Sequence, residues 1–143
     1  METAVIVVQN DNQLQQAFII RRQVFIEEQG VPESEEIDEW EHQAVHFLAL
    51  YKGKPGGTAR LRFLLDGTGK VERVAVLKSM RGNGLGYSLM QGIEDYARQR
   101  NIKELRLHAQ VQALDFYRKS DYKEEGSVFL DAGIEHMEMR KKI

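Results

Sequence analysis

The chain has 143 residues, which suits one domain with one core, and its 42% hydrophobic and 29% charged content is that of an ordinary soluble globular protein. The formal net charge of −2 gives no electrostatic basis for nucleic-acid binding, and no apolar run approaches the ~20 residues of a membrane span. Cysteine is absent, which excludes disulfides, thiolate metal sites and a cysteine-bound acyl group. Met1-Glu2-Thr3 has no basic region followed by an apolar stretch, so no signal peptide is read and a cytoplasmic location is the default expectation.

Val5 to Val8 is a short apolar run and reads as a first strand. Asp11 or Asn12 can cap a helix in which Leu14, Ala17, Phe18 and Phe25 mark one face, and Gly30, Val31 and Pro32 end it. From Glu27 to Glu41, eight acidic side chains stand with no lysine or arginine between them. This stretch is either a solvated loop or a negative lip that draws in a cationic substrate such as an amine. Ala44 to Tyr51, Thr58 to Leu65 and Val71 to Val76 read as strands, joined by turns at Lys52 to Gly57 and Asp66 to Gly69.

A glycine-rich turn follows, Arg81-Gly82-Asn83-Gly84-Leu85-Gly86. Leu85, Leu89, Met90, Ile93, Tyr96 and Ala97 then recur at helical spacing, so a helix runs to about Arg100. Leu105, Leu107 and Ala109 alternate as a strand, Val111 to Lys119 is helix-compatible, and two strands, Gly126 to Leu130 and Ile134 to Met139, flank a last turn. The expected order is β-α-(α)-β-β-β-α-β-α-β-β over residues 1–143: a mixed α/β sheet with helices on both faces. The final strand either pairs across a two-fold axis or forms an ordinary edge, so monomer and homodimer both stay open.

Strand, glycine turn and helix together point several backbone N–H groups at one spot. Three glycines within five residues remove the Cβ atoms that would keep a ligand away, and the first helical turn carries partial positive charge. A phosphate is the usual guest of such a turn. The spacing is not that of the dinucleotide fingerprint, and the lysine and hydroxyl of a Walker A loop are missing.

The segment resembles motif A of the GNAT acetyltransferase superfamily, Arg/Gln-x-x-Gly-x-Gly/Ala after a strand, here Arg81, Gly84 and Gly86. Gln110 to Tyr122 is similar to the same family's motif B, with Gln110 where Asn is usual and Asp121 where Gly is usual. Asp tolerates a left-handed backbone, so the turn is expected to survive. Arg21-x-x-Val24-Phe25-x-x-Glu28-Gln29-x-x-Pro32 followed by Glu36-Ile37-Asp38 is similar to a branch of small bacterial members with poorly defined acceptors. The resemblance covers nearly the whole chain. It implies a mostly antiparallel mixed sheet, acetyl-CoA as co-substrate, and a small-molecule or peptide amine as acceptor. The turn Arg81 to Gly86, that is Arg81, Gly82, Asn83, Gly84, Leu85 and Gly86, would hold the cofactor's diphosphate. A bulged strand at Val74, Ala75 and Val76 would pair with its pantetheine arm, with Gln110 as a polar contact and Phe116 beside it.

Moving an acyl group from a thioester to an amine needs a neutral nucleophile, a polarised carbonyl and a proton for the leaving thiolate. An acceptor with a lysine-like pKa of about 10.4 must be deprotonated across about 3.4 units at pH 7, or about 4.6 kcal/mol. A base is therefore worth seeking. Glu72, on the strand entering the turn, is the first candidate and Glu28 the second, with water as a third. The resemblance places Tyr117 at the family's general-acid position, and its phenol is protonated at pH 7. Phe116 reads as packing rather than chemistry.

His42, His46, His108 and His136 show no metal-ligand spacing, so no metal is expected; His108 reads as a solvent or groove residue rather than a catalytic one. Direct attack in a ternary complex is the expected mechanism. A non-catalytic acyl-CoA sensor on the same fold is the alternative, and it would need neither Tyr117 nor Glu72.

Overall fold

A computed structural model of the chain describes residues 2–143. Its strands are β1 (Thr3–Val7), β2 (Val45–Tyr51), β3 (Lys54–Phe63), β4 (Gly69–Val76), β5 (Glu104–Gln110), β6 (Lys123–Asp131) and β7 (Ile134–Lys142). They form one sheet in the order β1-β2-β3-β4-β5-β7-β6. Every pairing is antiparallel except β4 with β5. The helices are α1 (Asp11–Arg21), α2 (Glu33–Glu36), α3 (Leu85–Gln99) and α4 (Leu114–Arg118). The element order is the one expected, and the sheet is mixed and mostly antiparallel.

Alternation along β2 sets the two faces. Phe47 and Ala49 join a core with Leu85, Leu89, Met90, Ile93 and Ala97 of α3. Leu48, between them, joins a second core with Ala17 and Ile20 of α1 and with Val24. Helix α3 ends where Asn101 takes a left-handed φ of 62°. Ile102 N–H then reaches back to Ala97 C=O at 3.0 Å, the usual closure of a helix by a residue that tolerates that region. Asp121, at φ 70°, does the same for the turn after α4, with Tyr122 N–H bonded to Tyr117 C=O at 3.1 Å.

Two local expectations for α1 shift. The cap is Asn10, not Asp11 or Asn12: its extended backbone lets its side chain accept from Gln13 N–H, while Asp11 is already helical and adds negative charge to the first turn. The buried face is Ala17, Ile20 and Arg21, continuing to Val24; Leu14, Phe18 and Phe25 lie at its margin. Beyond Arg21 the helix widens, Arg22–Glu28 being π-helical, and Gln29 N–H bonds to Val24 C=O at 3.1 Å.

The buried arginine explains the acidic stretch. Arg21, 1% exposed, bonds Glu36 at 2.8 Å and Glu41 at 2.6 Å. Arg60, equally buried, reaches Asp38 at 2.7 Å, Glu41 at 3.0 Å and Glu72 at 3.0 Å. Arg73 binds Glu36 at 3.0 Å and Asp38 at 3.3 Å. Glu36, Asp38 and Glu41 are therefore neither a solvated loop nor a free negative lip. They neutralise three guanidinium groups contributed by α1, β3 and β4.

Removing one member of such a buried network leaves an uncompensated charge, so Arg60→Ala is expected to cost about 3–5 kcal/mol in a denaturant melt; a loss under about 1 kcal/mol would show that water replaces the guanidinium. The network also makes the fold acid-sensitive. Burial pushes Glu41 and Asp38 up, but their arginine partners outweigh it and hold both below their ordinary values of 4.5 and 3.8. A depressed carboxylate stabilises the fold above its unfolded pKa and stops doing so as pH falls through its folded pKa. Stability should therefore fall steadily below about pH 4.5, and a urea midpoint unchanged down to about pH 3 would contradict this.

Candidate active site

The site begins where two parallel strands part. β4 and β5 pair only from Gly69 to Val71 and from Leu105 to Leu107. Beyond that point the chain kinks outward. On β3, Thr58 faces Ala75 and Arg60 faces Glu72, so Arg73 and Val74 oppose the single residue Ala59. This is a β-bulge. Arg73 carries it with a left-handed φ of 57°, and its side chain is pinned from the acidic segment, also bonding the carbonyls of Glu35 (3.2 Å) and Glu36 (3.1 Å). The edge of β4 from Glu72 to Val76 consequently has no strand on its β5 side.

A cavity of about 740 Å³ fills the resulting wedge. Val74, Ala75 and Val76 form one wall, Leu107, His108 and Gln110 the other, and Tyr117 closes it from α4. Tyr117 is 8% exposed. Its ring packs between Phe116 (4.9 Å) and Tyr122 (6.1 Å), and its hydroxyl bonds no described residue. Burial pushes its pKa upward, so the phenol stays protonated across the physiological range.

At the far end of β4 lies the glycine turn. Gly82 and Gly84 have φ of 85° and 81°, and a Cβ on either would meet nothing within 4 Å. The first bond of α3 runs from Ser88 N–H to Gly84 C=O at 3.0 Å, which leaves the amides of Leu85, Gly86 and Tyr87 ahead of the helical ladder. Asn83 uses its side chain to bond Met80 C=O at 3.0 Å and fixes the turn. Leu85 is buried core. Gly86 is needed for packing: a Cβ there would stand 3.1 Å from Phe116. Phe116 holds α4 against the start of α3 and is not on the cavity wall.

Several residues singled out from the sequence take different roles once their partners are known. Arg81 is not a free positive charge at the rim. It makes a bidentate pair with Glu28 (2.7 and 2.8 Å) and bonds Val76 C=O at 3.0 Å. The Arg81 pairing holds Glu28 below the ordinary carboxylate range. Glu28 also lies in a separate shallow depression with Gln23, Val24 and Leu77, not on the cavity wall. Both facts argue against it as a base. Glu72 does line the cavity, but Arg60 (3.0 Å), Arg62 (3.3 Å) and Lys70 (3.3 Å) surround its carboxylate. Burial raises its pKa, yet the three cations outweigh this and leave it lowered, which makes Glu72 a strut between strands and a poor base. Gln110 faces the cavity, but its amide N–H donates to Gln29 Oε1 at 2.8 Å and its oxygen accepts from Gln112.

Sequence reasoning missed His136, Lys70, Gln29 and Asp131 on the cavity wall. His136 faces Gln110 across the β5–β7 ladder, a register that needs the strand pairing to be known. Among the described residues no group of three or more His, Asp or Glu is arranged to hold a metal ion, and no helix is long and apolar enough to cross a membrane.

Residues 8–143 match the family model for the acetyltransferase (GNAT) domain. Over 137 residues the chain is 42% identical to the uncharacterized N-acetyltransferase YjcF of Bacillus subtilis (strain 168), covering 95% of this chain and 97% of that protein. A crystal structure of a candidate N-acetyltransferase from Lactobacillus plantarum superposes with a TM-score of 0.91 at 26% identity, covering 99% of both chains. A GNAT family acetyltransferase from Elizabethkingia anophelis, solved with acetyl-CoA bound, shares the fold with a TM-score of 0.79 at 15% identity over 99% of both chains. With this family match over nearly its full length and a relative above two-fifths identity, the chain belongs to the GNAT acetyltransferase family.

Proposed function

We propose that this chain moves the acetyl group of acetyl-CoA onto a primary amine by direct attack while both are bound. Family membership gives acyl transfer as the reaction class; the donor, the amine and the ternary complex are the further step. One observation carries it: the strand edge free from Glu72 to Val76 and the Tyr117 phenol border one wedge, and Arg81, which also lines it, begins the turn that leads to the amides ahead of α3.

Those features fit coenzyme A. The amides of Leu85, Gly86 and Tyr87 and the positive end of α3 suit a diphosphate. The free edge of β4 suits an amide-bearing arm, which would bind as an added strand. When bound, acetyl-CoA supplies the activated thioester. The chain's own part is to hold that arm, polarise the carbonyl with a β4 amide, and donate a hydrogen bond from Tyr117 Oη where negative charge gathers on sulfur. Because burial weakens Tyr117 as an acid, full transfer of its proton follows only once sulfur carries the charge. A covalent acyl-enzyme has no cysteine to form on.

The acceptor reading rests on charge. Glu35 and Asp131 line the cavity and form no ion pair with any described lysine or arginine. They suit a cationic amine, whereas Glu36, Asp38 and Glu41 are already paired with Arg21, Arg60 and Arg73. This is a smaller negative surface than a run of eight carboxylates implies.

The experiment is thiol release from acetyl-CoA across a panel of primary amines, with Tyr117→Phe alongside. Tyr117→Phe should lower kcat by about 100-fold, the low end for a lost proton donor, with acetyl-CoA affinity within about twofold. Unchanged turnover would remove Tyr117 from its role. Saturable CoA binding with no turnover on any amine would favour the sensor alternative. Glu28→Gln frees Arg81 for the diphosphate; an exposed pair holds ~0.2–1 kcal/mol, so acetyl-CoA should bind up to about fivefold tighter by calorimetry. Weaker binding would mean that the pair's role is to place the end of the π-helical segment Arg22–Glu28.

A further inference from the structure

With Glu28 outside the cavity and Glu72 encircled by cations, the proton of the acceptor ammonium needs another destination. Glu36 is bound to Arg21 and Arg73, and Lys70, Arg73 and Arg81 are cations already paired with carboxylates. Tyr117 is a proton donor. His136 donates Nδ1–H to the carbonyl of Ile134 2.7 Å away, which leaves Nε2 as its basic nitrogen, but the residue is 9% exposed and forms no ion pair with a described carboxylate. Glu35 and Asp131 sit at the exposed margin.

His108 remains, and its setting is that of a working imidazole. It stands on β5 directly opposite Glu138 of β7, with Nε2 3.4 Å from Glu138 Oε1. Phe129 of β6 packs edge-on against the ring, centroids 4.9 Å apart. Glu138 is itself tied to Arg140 at 2.9 Å and stays a carboxylate. A neutral His108 thus turns its Nε2–H toward Glu138 and keeps Nδ1 as the basic lone pair.

We infer that His108, oriented by Glu138, takes the first proton from the acceptor ammonium, an inference that rests on the acyl-transfer reading above. The balance closes. One N–H proton passes from the ammonium to His108 Nδ1. The freed nitrogen pair forms the N–C bond as the C–S bond breaks, its electrons staying on sulfur. A second N–H proton reaches the thiol by way of the Tyr117 hydroxyl, and His108 returns its proton to solvent.

The groups facing His108 set the pH range. Burial and the Lys70 cation of β4 lower its pKa below the ordinary 6.5, opposed by Glu138 of β7 and Asp131 of β6; His136 of β7 and Glu35 and Arg73 border the same cavity. The lowered pKa leaves the imidazole neutral at pH 7, with its lone pair free to accept a proton, at the cost of some basicity.

The test compares wild type, His108→Asn and Glu138→Gln on the most active amine of the panel. His108→Asn should lose about 100-fold in kcat and the acid limb of the pH–rate profile, while CoA binding by calorimetry stays within about twofold. Glu138→Gln should move that limb to lower pH, because a carboxylate that raises the imidazole pKa is gone; a merely structural role would leave the limb in place. With methoxyamine, already neutral at pH 7, the His108→Asn defect should shrink to a few-fold. Equal defects on both amines, or an unchanged kcat with CoA binding intact, would overturn the inference while leaving acyl transfer standing. A wild type that binds CoA but acetylates no amine would overturn both.

Discussion

The site depends on one residue held where side-chain-bearing residues seldom go. Arg73 adopts a left-handed φ of 57° in the middle of a strand, a conformation that costs about 1–2 kcal/mol for a residue with a Cβ. It is held there because its guanidinium is gripped by Glu36, Asp38 and two carbonyls from the acidic segment. The bulge turns β4 away from β5 after Val71, and every proposed function of the wedge follows from that divergence. Were β4 to stay paired along its length, its edge would be satisfied by β5 and there would be no cavity.

The clamp is in turn built into the core. The same Glu36 that holds Arg73 also binds Arg21 of α1, and the same Asp38 also binds Arg60 of β3. Helix α1, two central strands and the segment after α1 are thereby locked into a single arrangement. Two buried guanidinium groups, Arg21 and Arg60, and the partly buried Arg73 bring a desolvation cost that well-packed apolar side chains would not. What they supply is directional: they fix where the acidic segment lies, and so how the cavity is roofed. The local architecture is one in which a stability-costing network holds a ligand-sized opening.

Much of this is legible in the chain because the signals are local. Alternation marks Leu105, Leu107 and Ala109 as a strand, 3.6-residue spacing marks α3, and Arg81, Gly84 and Gly86 mark the turn. Asp121 in a glycine position is readable as a left-handed turn residue, and it is one. Partnerships across distance are not legible. The run from Glu27 to Glu41 contains no cation, so its acids look free; their partners Arg60 and Arg73 arrive on strands formed much later in the chain. Glu28 and Glu72 look like available bases because nothing local shows that Arg81 and Arg60 take them up. Alternation puts His108 on the groove side, but its value depends on Glu138, which only the β5–β7 register brings opposite.

Hydrogen exchange along the backbone, measured with and without coenzyme A, tests the wedge most directly. Exchange should slow at residues 72–77 and 82–87, where the strand edge and the turn amides gain partners, and stay unchanged along β1 and β2. Exchange unaltered across both segments at saturating coenzyme A, or slowed only elsewhere, would show that the opening between β4 and β5 is not where the cofactor lies.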